Sequence, residues 1–427
     1  MKRLLSILAL CFSVQFISAQ VTYKVFNSEK LGGSREIKIQ LPRSYDSSKK
    51  SYPIIVTLDG DYMFEIVAAN VDYASYWEDI PEAIVVGINQ FGKREEDVMY
   101  SGMSSLPIEK GVAFFEFIGM ELIPYIQKAY RTGNFKVVVG HGQTANFINY
   151  YLLKPEPLFN AYVSISPDLA PDMIRFLSER LKTIETKTFY YLATSDKDVS
   201  VLKQNTEALN KAINGIDNKN LLSTFDNFEE PSHYALPAYA ISKALESIFF
   251  VFQPISKKEY KESILKLESS PVAYLIEKYQ TIEDLFGIDK TIVVNDFRAV
   301  AAAIKKTEKW EYLEALGELA NKESPELLLG HYYLGRFYEI EEDYKKAIKN
   351  YEAAYLLEDA GGVTKDIVLT YLEGSQESLA EIEAEKEEEK MAKKEEKAKA
   401  KELRKIEREL KKMEKDKKEE DEDFEDL

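Results

Sequence analysis

The strongest constraint in this sequence is a change of hydrophobic period near residue 252. Before it, short runs rich in β-branched and aromatic residues (PIIVTL, AIVVGI, FKVVV, AYVSI and TFYYLA) alternate with amphipathic stretches. The clearest of these stretches is VAFFEFIGMELIPYIQKAY, from Val112 to Tyr130. Apolar runs of that length without polar alternation suit strands buried on both faces, and covering helices between them make the sheet parallel. VTYKVF and REIKIQL, joined through Gly32 and Gly33, read as an opening antiparallel pair. The pattern predicts an α/β domain with a doubly wound, mostly parallel sheet over residues 20–252.

From Gln253 onward the chain reads as helix after helix, apart from a brief TIVV at Thr291. Residues 253–290 are expected to form a helical linker. A period of 34 residues then appears, the length of a tetratricopeptide repeat. In HYYLGRFYEIEEDYKKAIKNYEAAYLLED the pattern positions are Leu334, Gly335, Tyr338, Ala347, Tyr351 and Ala354. One period upstream stand Val300, Ala301, Ile304, Leu313, Gly317 and Ala320, with Pro325 closing the turn. Small residues let paired antiparallel helices approach, and aromatics fill the space between repeats. The reading is an all-α, tetratricopeptide-like region over 291–380, with Thr364 to Ala380 as a capping helix. Residues 381–427 are rich in Glu and Lys and suit a solvated charged helix, frayed at its acidic end. Leu403, Ile406, Leu410 and Met413 fall at 3-4-3 spacing, a short candidate coiled-coil seam.

Charge and composition narrow the function classes. The net charge of −17 gives no basic footprint for nucleic acid. With three histidines (His141, His233, His331) and one cysteine (Cys11), a zinc site of cysteines and histidines has too few ligands, and no cofactor is expected. Residues 1–19 read as a signal peptide: Lys2 and Arg3, an apolar run from Leu4 to Phe16, and a small-residue cleavage site at Ser18-Ala19 before Gln20. Cleavage would export a cysteine-free chain, with the periplasm favoured over the cell exterior. No other stretch is long and apolar enough to form a transmembrane segment.

The chemistry should reside in FKVVVGHGQTANFINYYLL, where a buried strand ending at Val139 meets a tight turn and a helix from about Thr144. Strand–turn–helix is the setting of the G-x-S-x-G nucleophile elbow. Here the five residues are Gly140, His141, Gly142, Gln143 and Thr144, so glycine occupies the nucleophile position.

Several further landmarks, SREIKIQLPRSYD, YPIIVTLDGDYMF, GINQFGKREEDVM, LFNAYVSISPDL and FEEPSHYALPAYAISKAL, agree in order and spacing with one family. The domain resembles the "putative esterase" branch of the α/β-hydrolases, which includes siderophore-trilactone esterases, esterase D and the mycolyltransferases. The resemblance implies that His233 is the general base and that Asp196 or Asp198 is the triad acid. It also implies an oxyanion hole from backbone N–H groups near Asp61 and at Gln143. Ser104, Ser105, Ser166, Thr144 and His141 are the candidate substitute nucleophiles, and none stands at the central position of the elbow. A second possibility is a water held by His233 in the space a hydroxymethyl group would fill. Two functions follow as expectations. One is a pseudoenzyme that binds a small ester-like ligand and engages a protein or peptide through its helical repeats. The alternative is an active hydrolase of small esters or lactones.

Overall fold

The computed structural model describes residues 21–425. The export signal read at residues 1–19 lies outside the described residues. Among those described, no helix is long and apolar enough to cross a membrane.

Eight strands form one sheet: β1 (Val21–Ser28), β2 (Gly33–Gln40), β3 (Tyr52–Thr57), β4 (Ile84–Ile88), β5 (Thr132–His141), β6 (Ala161–Ile165), β7 (Thr188–Lys197) and β8 (Leu221–Ser232). Their spatial order is β1-β2-β4-β3-β5-β6-β7-β8. The β1/β2 and β2/β4 pairs are antiparallel, and every later pairing is parallel. The apolar runs that announced the sheet are its centre: all residues of β3, β4 and β6 are buried. Removing such side chains from water is the main drive to form the sheet.

Three details depart from the sequence reading. β5 continues two residues past Val139, to His141, so the turn before the next helix shrinks to Gly142 alone. β8 was not anticipated: its residues alternate only loosely, with Asp226 and Asn227 in mid-run, as an edge strand exposed on one side tolerates. The helix read from Val112 to Tyr130 contains a π-helical segment, Phe117–Leu122, flanked by α-helix from Glu109 and up to Ala129.

The chain divides into two compact units, one running to Ser256 with Ile276–Thr291 added, the other comprising Lys257–Leu275 and the residues from Ile292 onward. The expected 253–290 linker is therefore split between them. Its second half carries Phe286, fully buried against Phe135, Phe189 and Phe249 of the α/β unit. That aromatic burial is worth more than a free linker would gain, which is why this segment returns to the first unit.

In the second unit the helices Val294–Thr307, Leu313–Glu323, Leu329–Ile340 and Tyr344–Tyr355 succeed one another through short turns. Of the 34-residue pattern, Val300, Ile304, Leu313, Gly317, Ala320, Gly335, Ala347, Tyr351 and Ala354 are buried, while Ala301, Leu334 and Tyr338 are only partly so. Gly335 is required by close approach, since a Cβ there would sit 2.4 Å from the Tyr351 ring. The capping helix and the charged tail are one continuous helix, Lys365–Glu425, of 61 residues.

Candidate active-site cleft

Gly142 is the whole of the turn between β5 and the helix Gln143–Phe147, with φ 61° and ψ −119°. That is a conformation side chains with a Cβ rarely adopt. The turn is tied down from several sides. The Gly142 N–H donates to the Ile165 carbonyl at 3.0 Å, and its own carbonyl accepts from the Asp168 N–H at 3.0 Å. The buried Thr144 hydroxyl accepts from the His141 N–H at 3.0 Å and donates to Asp59 Oδ2 at 2.6 Å. Thr144 thus acts as a brace for the turn, not as a reacting group.

His233 follows β8 in a turn ahead of the helix Leu236–Ile248. Its Nδ1 lies 2.9 Å from Asp198 Oδ1 and 3.0 Å from Ser166 Oγ. Asp198 is held by a 2.8 Å bond from the Thr194 hydroxyl and another of 2.8 Å from the Val199 N–H. Burial pushes the Asp198 carboxyl up, but the hydrogen bonds from His233, Ser166, Thr194 and Val199 outweigh it and keep the group below its ordinary range. With Nδ1–H committed to a carboxylate, Nε2 is the ring's acceptor. A Cβ built on Gly142 would stand 3.8 Å from that Nε2.

The two aspartates named from the sequence are thereby separated. Asp198 meets His233, whereas Asp196 is exposed and pairs with Lys203 at 2.7 Å and Asn227 at 2.9 Å. Gln143 lines the cleft. Asp61 does not: its Oδ2 accepts from the Gln90 N–H at 2.6 Å, and Tyr62 is the residue of that loop lining the cleft. Ser166 and Ser105 stand apart from His233 Nε2. Ser166 sits on the opposite ring nitrogen, and Ser105 is buried, its Oγ accepting from the Asp172 N–H at 3.0 Å.

Two residues the sequence reading gave no role to shape the site. Asp59, 2% exposed, forms a two-point ion pair with Arg94 (Nε–Oδ1 2.6 Å, Nη2–Oδ2 3.2 Å). Arg94 also donates to the His141 carbonyl at 2.8 Å and to Gln143 Oε1 at 3.1 Å. Its Nη2 would lie 3.5 Å from a Cβ on Gly142, so the guanidinium roofs the elbow. Arg94 opens the short helix Arg94–Asp97, whose last residue is bound by the buried Arg35 at 2.7 Å through both carboxylate oxygens. The signal was present in GINQFGKREEDVM, but nothing local tells which carboxylate each arginine meets.

His141 is the second histidine of the site, its ring 4.4 Å from that of His233. Its Nε2–H donates to the His233 carbonyl at 3.1 Å, leaving Nδ1 as an acceptor 3.2 Å from the Tyr62 hydroxyl. Burial, then His233 and Arg94 nearby, depress its pKa to about 3. Between that value and its ordinary one the unfolded chain binds a proton the folded chain refuses, so stability falls as pH drops through this window. The expected loss is about 2 kcal/mol at about pH 5 relative to pH 7. Urea unfolding of the wild type and His141→Gln at both pH values checks this; an equal loss in both chains would assign the effect elsewhere.

Around Gly142 and His233 opens a cleft of about 520 Å³, walled by Tyr62, Arg94, Asp168, Leu202 and Tyr234. It holds a base–acid pair and a roofing cation, aimed at a turn that carries no side chain.

A family model described as "Putative esterase" matches residues 28–213. An uncharacterised protein from Capnocytophaga ochracea of known structure is 30% identical, aligned over 84% of this chain and 99% of its own, with a TM-score of 0.75. An IroE-like serine hydrolase from Shewanella oneidensis shares the fold at 21% identity, over 70% of this chain and 98% of its own, with a TM-score of 0.55. No curated protein matches. Residues 28–213 therefore match the esterase family model, on an α/β-hydrolase fold shared with the IroE-like hydrolase, and the chain as a whole is related to the Capnocytophaga protein.

Proposed function

We propose that this is an exported esterase-fold protein that binds a small ester-like ligand without turning it over, and that its helical region, read as tetratricopeptide-like repeats, engages a protein or peptide. Gly142 carries the reading. At the position facing His233 Nε2 there is no oxygen or sulfur to attack a carbonyl, and removal of a triad serine costs on the order of a millionfold in turnover. The walls of the cleft are independent of that serine, so ligand binding can outlast catalysis. The periplasm is the favoured location.

The second reading is direct hydrolysis by a water that His233 activates. It is favoured by the 3.8 Å between Nε2 and the Cβ position, a space of one hydroxymethyl group. Hydrolysis of an activated aryl ester by the purified chain separates the two. The silent cleft predicts no turnover above buffer and no change in His233→Ala. Turnover that disappears in His233→Ala would establish the water mechanism instead. For the helical region, co-purification is compared among the full chain and chains ending at residues 380 and 290. A partner kept by the shortest chain would refute the repeat surface.

A further inference from the structure

The helix Lys365–Glu425 would extend for about 90 Å at 1.5 Å per residue. Between Glu402 and Lys415 every residue is exposed, and three kinds of residue are sorted around the axis. Leu403, Ile406, Leu410 and Met413 form one narrow stripe, each 49–68% exposed. Taking Leu403 as heptad position a, Ile406 is d, Leu410 the next a and Met413 the next d. Glu402 and Glu409 then fall at g, and Glu407 and Glu414 at e, so glutamates border the stripe on both edges. Arg404, Lys405, Arg408, Lys411, Lys412 and Lys415 occupy b, c and f, the opposite arc. At about 100° per residue the basic arc spans roughly a third of the circumference and never reaches the stripe.

We propose that this stretch docks a partner helix whose own apolar stripe is bordered by lysine or arginine. An a/d stripe is buried by knobs-into-holes packing, and the e and g residues meet those of the partner across the seam. A second copy of this chain is the wrong partner. In parallel pairing Glu402 and Glu409 would face the other copy's glutamates at e, and in antiparallel pairing glutamates would again meet glutamates. A lipid surface is wrong as well. A membrane-lying helix carries its cations beside the apolar face, whereas here acids lie there and the cations point away. The proposal names the partner within the interaction reading of the helical region, at a surface separate from the repeats, and is independent of whether the cleft is silent.

The test uses the full chain and two synthetic helical peptides of about three heptads, with Ile at a and Leu at d, one carrying Lys and the other Glu at every e and g. The Lys peptide is expected to bind about tenfold or more tightly than the Glu peptide, with an affinity that weakens as salt rises. The Leu403→Asp/Leu410→Asp chain should lose this binding while circular dichroism shows its helix retained. Changing Glu402, Glu407, Glu409 and Glu414 together to Lys should reverse the preference. Equal binding of both peptides, or of neither, overturns the proposal. So does self-association in sedimentation that Leu410→Asp abolishes, or adsorption to phosphatidylserine vesicles without peptide binding. Failure here leaves the ester-hydrolysis and repeat-truncation results untouched, so the two readings fall separately.

Discussion

Gly142→Ser is expected to turn the chain into an esterase, raising activated-ester hydrolysis by at least about a thousandfold over the parent. The space is already present. A Cβ at Gly142 meets nothing closer than Arg94 Nη2 at 3.5 Å and His233 Nε2 at 3.8 Å, both ordinary contacts. A hydroxyl one bond further can reach Nε2, whose partner nitrogen is already bound to Asp198. The backbone sets a cost, because φ 61° with a Cβ is strained by about 1–3 kcal/mol. Gly142→Ala should carry the same cost and gain no activity. In the serine background Asp198→Asn should remove most of that gain, while Asp196→Asn changes little, since Asp196 is tied to Lys203 on the surface. An inert serine chain that still folds would mean that the machinery around the turn is no longer assembled, and a glycine parent with comparable activity would contradict the silent cleft.

Asp97→Ala is expected to be the most destabilising single change near the site, at about 3–5 kcal/mol. Its carboxylate accepts two 2.7 Å bonds from Arg35 and one of 3.1 Å from Gln90, and the Arg35 and Asp97 side chains are only 9% and 4% exposed. Truncation strands the guanidinium without a counter-charge in a place water does not reach. Arg35→Met/Asp97→Leu removes both charges and should recover most of the loss, because the desolvation of the pair nearly offsets its attraction. Denaturant unfolding of the three chains decides it. A loss below about 1 kcal/mol in Asp97→Ala would show that water reaches Arg35.

Much of the α/β unit was legible because its signals are local. Buried strands such as IVVGI and AYVSI declare themselves by composition, and the glycine in the elbow is visible as a letter out of place between β5 and its helix. β8 was missed because an edge strand needs no continuous apolar run, and the place of Phe286 was not legible because it is buried by residues distant in sequence. The site was legible in part. His233 and Gly142 came from pattern, but the role of Asp59 did not, because its partner Arg94 lies 35 residues away.

The sequence alone determined the class of fold, the helical period after residue 252 and the absence of a side chain at the elbow, since each depends on residue type and spacing along a few turns. Only the tertiary structure decided which of two aspartates serves His233. Asp196 and Asp198 have similar flanks, and the choice rests on the way β7 ends, where Thr194 and the Val199 N–H grip Asp198 while Lys203 draws Asp196 outward. Hydrogen bonds of under 3 Å select one carboxylate from its neighbour, and that selection exists only once strands far apart in the chain lie side by side.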